Sequence, residues 1–380
     1  MKLTKSGKKL RVAVGLSGGI DSSVSAYLLQ KAGYEVTGVF MQCWDARADG
    51  CKSDEDRAYA VATAAKLNIK FEHLDFRDAY KARVMSYFYD EYTHGRTPNP
   101  DVMCNKEIKF GMFFEWAMKN RFDYVATGHY ARVGHANNNC KLLMGKDATK
   151  DQSYFLYVLS QKQLAKTLFP VGGMTKSYIR KLAVKLDLPS ATRPDSMGIC
   201  FIGEVDIKEF LKKHITSVKS KVVDTRGNVI GEHDGVPFYT VGQRHGFRLS
   251  KYFGHPMYVV SKDAAKNILV VGTEEETMTK EFNVTAPHWI ETDPFLKKKV
   301  LKCKIRIRHL GKLIDVVVVK VNAIAKPNEN KMKVSRDVVA TTGKNTVLHI
   351  KLSTAVFGVA PGQSAVFYHR SFVLGGGVIS

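Results

Sequence analysis

Between Leu10 and Lys31 a β-strand, a glycine-bearing turn and a helix follow one another without a spacer. The apolar run Leu10 to Gly15 reads as the strand, Leu16-Ser17-Gly18-Gly19-Ile20-Asp21-Ser22-Ser23 as the turn, and Val24 to Lys31 as the helix. That order aims several backbone N–H groups and the positive end of a helix dipole at one point, which makes an anion site. Gly18 and Gly19 let the backbone approach phosphate oxygens without a Cβ. Ser17, Ser22 and Ser23 add hydroxyl donors, and Asp21 is placed to orient the loop or to hold a magnesium ion. No Lys follows the second Gly and no G-x-G-x-x-G is present, so γ-phosphate transfer and dinucleotide binding both lose support. The plain alternative is a tight turn with an N-capping Asp or Ser.

Two thiols stand in segments unlike core strands. Cys104 closes the polar, two-proline stretch Gly95-Arg96-Thr97-Pro98-Asn99-Pro100-Asp101-Val102-Met103-Cys104-Asn105-Lys106, with an acid three residues before it. Cys200 lies in Asp195-Ser196-Met197-Gly198-Ile199-Cys200-Phe201-Ile202-Gly203, flanked by glycines. A random Cys is most often a buried small hydrophobe, but a thiol beside Asp, Asn and Lys departs from that rule, since a nearby cation favours the reactive thiolate. Cys43, Cys51, Cys140 and Cys303 read as non-catalytic, with Cys140 expected in an exposed loop after Asn137-Asn138-Asn139. Cys43 and Cys51 bracket Trp44 to Gly50, a segment expected to act as a lid near the nucleotide; a metal held between them would lack two further ligands, and no metal site is expected.

These groups need a scaffold that brings distant loops together. Leu10 to Gly15, Val36 to Met41, Lys70 to Leu74 and Tyr124 to Thr127 read as strands alternating with helical stretches, the pattern of a parallel α/β sheet. Leu156 to Leu168, Ser177 to Leu186 and a last turn at Phe210 to His214 read as helical. From Val222 the texture becomes short β-branched strands between turns. After Trp289 the strands Val300 to Arg308, Leu313 to Val321, Lys331 to Val334, Val347 to Leu352, Ser364 to His369 and Val373 to Ile379 suggest a closed barrel. The expected domains are therefore 1–218, a catalytic α/β domain, 219–285, a small mainly β domain, and 286–380, a C-terminal β-barrel.

Composition limits the partners. The 380 residues carry 58 Lys+Arg against 36 Asp+Glu, a net +22. From Ala286 to Ser380 there are 16 basic and 5 acidic residues, net +11, so half the excess sits on the barrel. Such a surface favours a polyanion, nucleic acid first and a membrane surface second. No apolar run approaches the ~20 residues of a membrane span. Met1 to Arg11 is short, basic and polar, with no apolar signal region, so a cytoplasmic location is expected. Six cysteines without a C-x-x-C fit neither a disulfide scaffold nor a zinc ribbon.

The spelling S-G-G-x-D-S resembles the pyrophosphate loop of the ATP pyrophosphatases, which adenylate a substrate oxygen and release pyrophosphate. More closely, the chain resembles the tRNA-specific 2-thiouridylase family. The likeness runs through Ser17 to Ser22, Arg96 to Phe110, Ala126 to Arg132, Lys150 to Leu156, Asp195 to Gly203, Tyr239 to Arg244, Pro361 to Tyr368 and Gly375 to Gly377, in order over nearly the whole chain. The resemblance implies ATP-dependent thiolation of the wobble uridine at carbon 2, with AMP placed on the carbonyl oxygen and sulfur supplied by a persulfide on Cys200. Cys104 would either attack that persulfide to liberate sulfide or resolve the adduct as a Cys104–Cys200 disulfide. Either role needs both sulfurs within bonding reach, so mobile loops that order on tRNA are expected. Asp101 would be the general acid/base, with a turn-forming role as its alternative.

The same resemblance assigns Gly15, Leu16, Ser17, Gly18, Gly19, Ile20, Asp21, Ser22, Met41 and Gly128 to ATP. It assigns Asn99, Pro100 and Asp101 to the target base, and His129, Lys150, Asp151, Gln152, Arg306, Ile307 and Gln363 to tRNA. His129 by itself reads as a satisfied core histidine. ATP, Mg2+ and a persulfide donor, either a sulfur-carrier protein or a cysteine desulfurase, are the implied partners beside the tRNA anticodon stem-loop, acting on a monomer. The chain departs from the family pattern at Ile307, where an aromatic is common, at Gly254 to Tyr258, which lacks a Trp, and at Ala325 to Asn345, which is longer. Rivals are a 4-thiouridine synthetase, a lysidine synthetase, an amide-forming ligase such as argininosuccinate synthetase, and an RNA-binding protein with a vestigial nucleotide site.

Overall fold

In the computed structural model, which describes residues 7–45, 53–136, 139–195, 198–203, 205–322 and 346–380, the apolar runs of the first half form a five-stranded parallel sheet. Its order is Lys70–Asp75, Glu35–Gln42, Arg11–Gly15, Tyr124–Ala126, Thr167–Leu168. Val12, Ala13 and Val14 are wholly buried, because helices cover both faces of a parallel sheet. Val12 and Val14 pack with Ala26, Leu29, Ala60 and Ala64 on one face. Ala13 points the other way, into the cluster that holds Phe113, Val125, Cys104 and Ile202.

Two sequence expectations change here. The polar stretch before Cys104 is a loop only as far as Asn99, whose side chain accepts from Val102 N at 3.2 Å and caps a helix that begins at Pro100. Pro suits the first helical turn because no N–H is needed there. The helix Pro100–Cys104 runs on as a π-helical segment, Asn105–Met112, and then as Phe113–Lys119. Cys140, expected in an exposed loop, instead lies in the hairpin Ala131–Ala136/Asn139–Met144 and is 5% exposed. Leu142, two residues on, drops into the cluster of Tyr154, Leu156 and Val366 and draws the strand inward.

Leu156 to Leu168 is a third difference. It holds a 3₁₀ turn, Ser153–Leu156, a short helix, Gln161–Leu164, and the edge strand Thr167–Leu168. Ser160 and Gln163 form a reciprocal cap that starts the short helix, while Lys176–Lys185 and Ile207–Lys212 are helical.

The second half is β. Ser220–Val223, Val229–His233, Arg248–Leu249, Tyr258–Asp263 and Ile268–Gly272 make a separate five-stranded sheet. Beyond it, Met278–Trp289 pairs with Thr346–Phe357 on one side and Phe372–Ile379 on the other. Ile314–Asn322, Val300–Arg306 and Ser364–His369 complete the ring among the described residues, so the barrel closes. The boundary expected at 285/286 falls inside Met278–Trp289, because this 12-residue strand is the stave that closes the ring. The lid expected across Trp44 to Gly50 lies largely outside the described residues, as do the strand expected at Lys331 to Val334 and the hairpin expected at 325–345.

Backbone pairing and buried charge both bolt the barrel to the catalytic half. Thr97 N donates to Pro361 O at 2.8 Å, and Gln363 Nε2 donates to Thr97 O and Pro98 O at 3.0 and 2.9 Å. Gly362 makes this approach possible: its φ is +93°, and a Cβ there would stand 2.8 Å from Thr97 O. Deeper, Arg306 pairs with Asp151 at 2.5 Å, with side chains 8% and 0% exposed, and its guanidinium lies 5.3 Å from the Tyr368 ring. Asp151 also accepts from Gly145 N and Ser153 N.

Removing one member of a buried ion pair strands the other charge, at a cost of about 3–5 kcal/mol. We predict that Asp151→Ala lowers the urea midpoint accordingly, while Asp151→Leu with Arg306→Met recovers most of the loss. Equal midpoints for Asp151→Ala and the parent would show that the pair does not hold the halves together.

Candidate active site

The Gly-rich turn sits at the carboxyl end of Arg11–Gly15, between neighbours whose connections run in opposite directions from it. Open α/β sheets bind ligands at that kind of point. Gly18 has φ +74°. Ser22 Oγ accepts from Ser17 N at 3.2 Å and donates to Gly19 O at 3.0 Å, while Ser23 Oγ also donates to Gly19 O. These bonds hold a tight loop around the start of helix Ile20–Lys31 and leave Ser17 exposed. Met41 Cε would lie 3.0 Å from a Cβ on Gly15, and a Cβ on Gly128 would come within 2.8 Å of Ser22 N. Gly15, Met41, Gly128, Asp21 and Ser22, distant in sequence, are therefore brought together.

Asp21 points into a charged network absent from the sequence expectations. Lys176 Nζ lies 2.8 Å from both its carboxylate oxygens, and Tyr130 OH donates to it at 2.8 Å. The same ammonium is 2.9 Å from Asp195, which Lys150 reaches at 2.6 Å and Arg180 also contacts. Burial works against the Asp195 charge, yet hydrogen bonds from Lys150 and Lys176 outweigh it and hold its pKa at about 2. Arg193 closes the other side of the loop, donating to Gly18 O at 3.1 Å and pairing with Asp56 at 2.7 Å.

The two thiols meet. Cys104 Sγ and Cys200 Sγ are 3.3 Å apart, with Cys104 as donor. Cys104 is fully buried and Cys200 partly exposed. The expected loop movement is thus not needed for contact, because Cys104 is fixed on a helix and the Cys200 segment is pinned to it. Cys200 N donates to Asp101 Oδ1 at 3.2 Å, Tyr80 OH donates to Cys200 O at 2.6 Å, and Ile199 and Gly203 close a bridge around the thiol.

The pair is electrically unequal. The hydrogen bond from Cys104 lowers the Cys200 pKa; burial opposes it, and Lys109 lowers it further. Burial, followed by Cys200 itself, pushes the Cys104 thiol well up. Asp101 is raised by burial, partly offset by Lys109 and the bond from Cys200 N.

The residues expected at tRNA are placed variously. Asn99 is the buried helix cap. Pro100 and Asp101 form the first turn of that helix. His129 is 8% exposed, bonded to Thr127 Oγ1 at 2.7 Å and set between Phe110 and Phe169, with its pKa lowered by burial. That is the satisfied core histidine. Gln152 accepts from Tyr130 N, and Lys150 is occupied by Asp195 but partly exposed. Asp151, Arg306 and Ile307 are buried, and Gln363 grips Thr97 and Pro98. Among the non-catalytic candidates, Cys303 is buried in its strand with its thiol pushed up to about 12 by burial and Asp315. Cys43 packs into the cluster that holds Cys104.

Sequence reading missed Lys176, Tyr130, Tyr80, Lys109 and Arg193. Tyr130 lay inside a matched stretch, and Lys176 follows the helix-capping Thr175, but neither spacing carries a partner's address.

The α/β half thus carries a glycine-rich loop at a strand's carboxyl end together with two thiols in contact. Family models agree with the architecture: one described as tRNA methyl transferase HUP domain matches residues 10–204, a tRNA methyl transferase PRC-barrel domain matches 208–273, and an Aminomethyltransferase beta-barrel domain matches 325–379. The chain is 40% identical over 388 aligned residues to the tRNA-specific 2-thiouridylase MnmA of Histophilus somni (strain 2336), covering 100% of this chain and 95% of that protein. It is 41% identical to the MnmA of Proteus mirabilis (strain HI4320), covering 97% and 96%. Among solved structures, the U34-tRNA thiolase NcsA from Methanococcus maripaludis aligns with 53% of this chain and 65% of its own at 19% identity and TM-score 0.35. The chain belongs to the tRNA-specific 2-thiouridylase family.

The unequal thiols give a direct test. In the reduced protein at neutral pH, a brief iodoacetamide pulse is expected to label Cys200 ahead of Cys104 and Cys43, read by peptide mass. Faster labelling of Cys104 would reverse the assignment of the two sulfurs.

Proposed function

We propose that the protein catalyses ATP-dependent 2-thiolation of the wobble uridine in tRNA anticodons, the activity its relatives are named for. The observation that carries this reading is the 3.3 Å contact between a buried Cys104 and an accessible Cys200. The descriptions of two matching family models mention methyl transfer; a thiol pair in contact supports sulfur transfer instead.

The loop Gly15 to Ser22, with Met41 and Gly128, binds ATP, and Asp21, Lys176 and Arg193 surround its phosphates. AMP passes to the carbonyl oxygen at carbon 2 of the uridine, and pyrophosphate leaves. No three His, Cys, Asp or Glu groups converge on a metal position among the described residues, so magnesium fits as the ion that ATP brings, with phosphate and water ligands.

Sulfur arrives from a protein persulfide. The Cys200 thiolate attacks the outer sulfur of the donor, displacing the donor's thiolate, and becomes the persulfide itself. Two routes then lead to product. The outer sulfur attacks carbon 2, AMP leaves, and Cys104 attacks Cys200 Sγ to release 2-thiouridine. Alternatively, Cys104 attacks first and frees hydrosulfide, which displaces AMP. Both end in a Cys104–Cys200 disulfide, and a thiol reductant must reopen it before the next turnover. Asp101, one helical turn before Cys104 and raised by burial, takes the Cys104 proton.

The target base leaves its stack to reach Asn99 to Asp101, and the exposed lysines of the barrel hold the stem by its phosphates. Asp151, Arg306 and Gln363 act by holding the barrel against this pocket rather than by touching RNA. A catalytic domain of 1–218, a small domain from 219 that ends before the ring-closing strand at Met278, a barrel from there to 380, a monomer on one tRNA and a cytoplasmic setting complete the reading. No helix among the described residues is long and apolar enough to cross a membrane.

The experiment is nucleoside mass analysis of unmodified tRNA incubated with protein, ATP, magnesium and a persulfide donor. We expect 2-thiouridine with the parent. Cys200→Ala should give none while still releasing pyrophosphate, and Asp21→Ala should lose both. 4-Thiouridine or lysidine as product would overturn the reading, as would parent-level thiolation by Cys200→Ala.

A further inference from the structure

We propose that Lys109 is a further catalytic residue of this reaction, its ammonium serving as the counter-charge of the Cys200 sulfur anion when that sulfur captures persulfide. The inference rests on the thiolation reading and deepens it.

The backbone gives the first argument. Cys104 and Lys109 are five residues apart. In an α-helix, five steps of about 100° would turn them roughly 140° away from each other. The segment Asn105–Met112 is π-helical, with bonds from i to i+5, and this wider turn brings residues five apart back toward one face. Such segments cost regular helix geometry and recur at functional sites. Here the wider turn carries Lys109 round to the thiols.

The surroundings give the second. Lys109 Nζ lies 5.7 Å from the ring centroid of Phe201, the residue after Cys200, and its positive charge favours the Cys200 anion. The titratable groups facing Cys200 are Cys104, Lys109, Asp101, Cys43 and Tyr80. Lys109 is the cation of this set. Burial would strip its proton, but Cys200, Cys104 and Asp101 outweigh that cost and keep its pKa above the ordinary lysine value. Lys106, the basic residue nearest Cys104 in sequence, is exposed and faces Glu107 at 3.4 Å.

Attack by Cys200 on the donor's outer sulfur needs the thiolate, and an adjacent cation raises its population at neutral pH. The ammonium supplies that charge without entering any bond made or broken.

The test is the pH dependence of iodoacetamide alkylation at Cys200, read by peptide mass on the full-length, phosphine-reduced protein. Lys109→Met is expected to move the midpoint upward by about one pH unit, which slows labelling about tenfold at pH 7. Lys109→Arg should restore the parent profile. Lys109→Gln, a neutral polar side chain, carries the same expectation as Lys109→Met and replaces it if that variant fails to fold by circular dichroism. An unchanged midpoint in the neutral variant overturns the proposal, and so does an equal shift in Lys109→Arg, which would assign the effect to packing. Thiolation by Cys200→Ala would sink the sulfur-transfer reading while leaving the alkylation result intact, so the two failures are distinguishable.

Discussion

One ammonium shared by two carboxylates fixes the frame of this site. Lys176 joins Asp21, in the nucleotide loop, to Asp195, which opens the segment bearing Cys200. Its side chain is 11% exposed, so solvent screens these attractions far less than those of a surface pair. Five residues separate Asp195 from Cys200, and chain geometry caps their Cα separation at about 18 Å. The loop proposed to bind phosphate and the segment proposed to carry sulfur are thereby tied to one side chain. On the proposed reaction both must converge on a single base atom, and a fixed frame replaces a diffusive search with an intramolecular one.

The barrel enters this frame through backbone and buried charge rather than through an apolar seam alone. Gln363 and Pro361 hold Thr97 and Pro98, the two residues that lead into Asn99 and the helix carrying Cys104. A shift of the barrel would therefore be felt one residue before the helix cap. The Arg306–Asp151 pair does the same beneath Tyr368. The barrel's positive charge that faces water is elsewhere, on Lys297, Lys298, Lys299, Lys302 and Arg308. A polyanion would meet those residues, while the buried pair resists the pull it exerts.

What could be read beforehand was whatever depends on local pattern. Apolar runs bounded by turns gave the four strands around the loop to within about a residue, because a strand buried on both faces tolerates few polar residues. The Gly-rich turn and the two thiols that meet were singled out as departures from core composition, although Cys104 is buried in the core. Contacts that depend on tertiary approach were not. Asp21 and Lys176 are 155 positions apart, and nothing in either segment encodes the meeting. Lys109 was not legible, because only the π-helical turn of Asn105–Met112 brings a residue five positions on toward the face of Cys104. Arg306 is the converse case: the family resemblance places it at tRNA, and its burial against Asp151 is a tertiary fact that no local pattern announces. The hairpin at 131–144 was missed because Asn137 to Asn139 masked two short strands whose pattern is decided by the neighbouring barrel edge.

The inequality of the two sulfurs orders the chemical steps. They are in contact, so proximity cannot decide which one acts first. Access and charge can. Cys200 is the less buried of the two and is drawn toward the anion by Cys104 and Lys109, so it is the sulfur that a donor finds reactive. Cys104 is sealed and held as the neutral thiol by burial, so no external persulfide meets it. On the proposed reaction a loaded Cys200 holds its negative charge on the outer sulfur instead of on the Sγ that touches Cys104, which weakens the opposition to Cys104 ionisation without removing it. Asp101 then faces a thiol that is easier to deprotonate, beside the sulfur it must attack. On the proposed reaction loading at Cys200 thus precedes attack by Cys104, because only a loaded Cys200 offers a sulfur–sulfur bond for Cys104 to break.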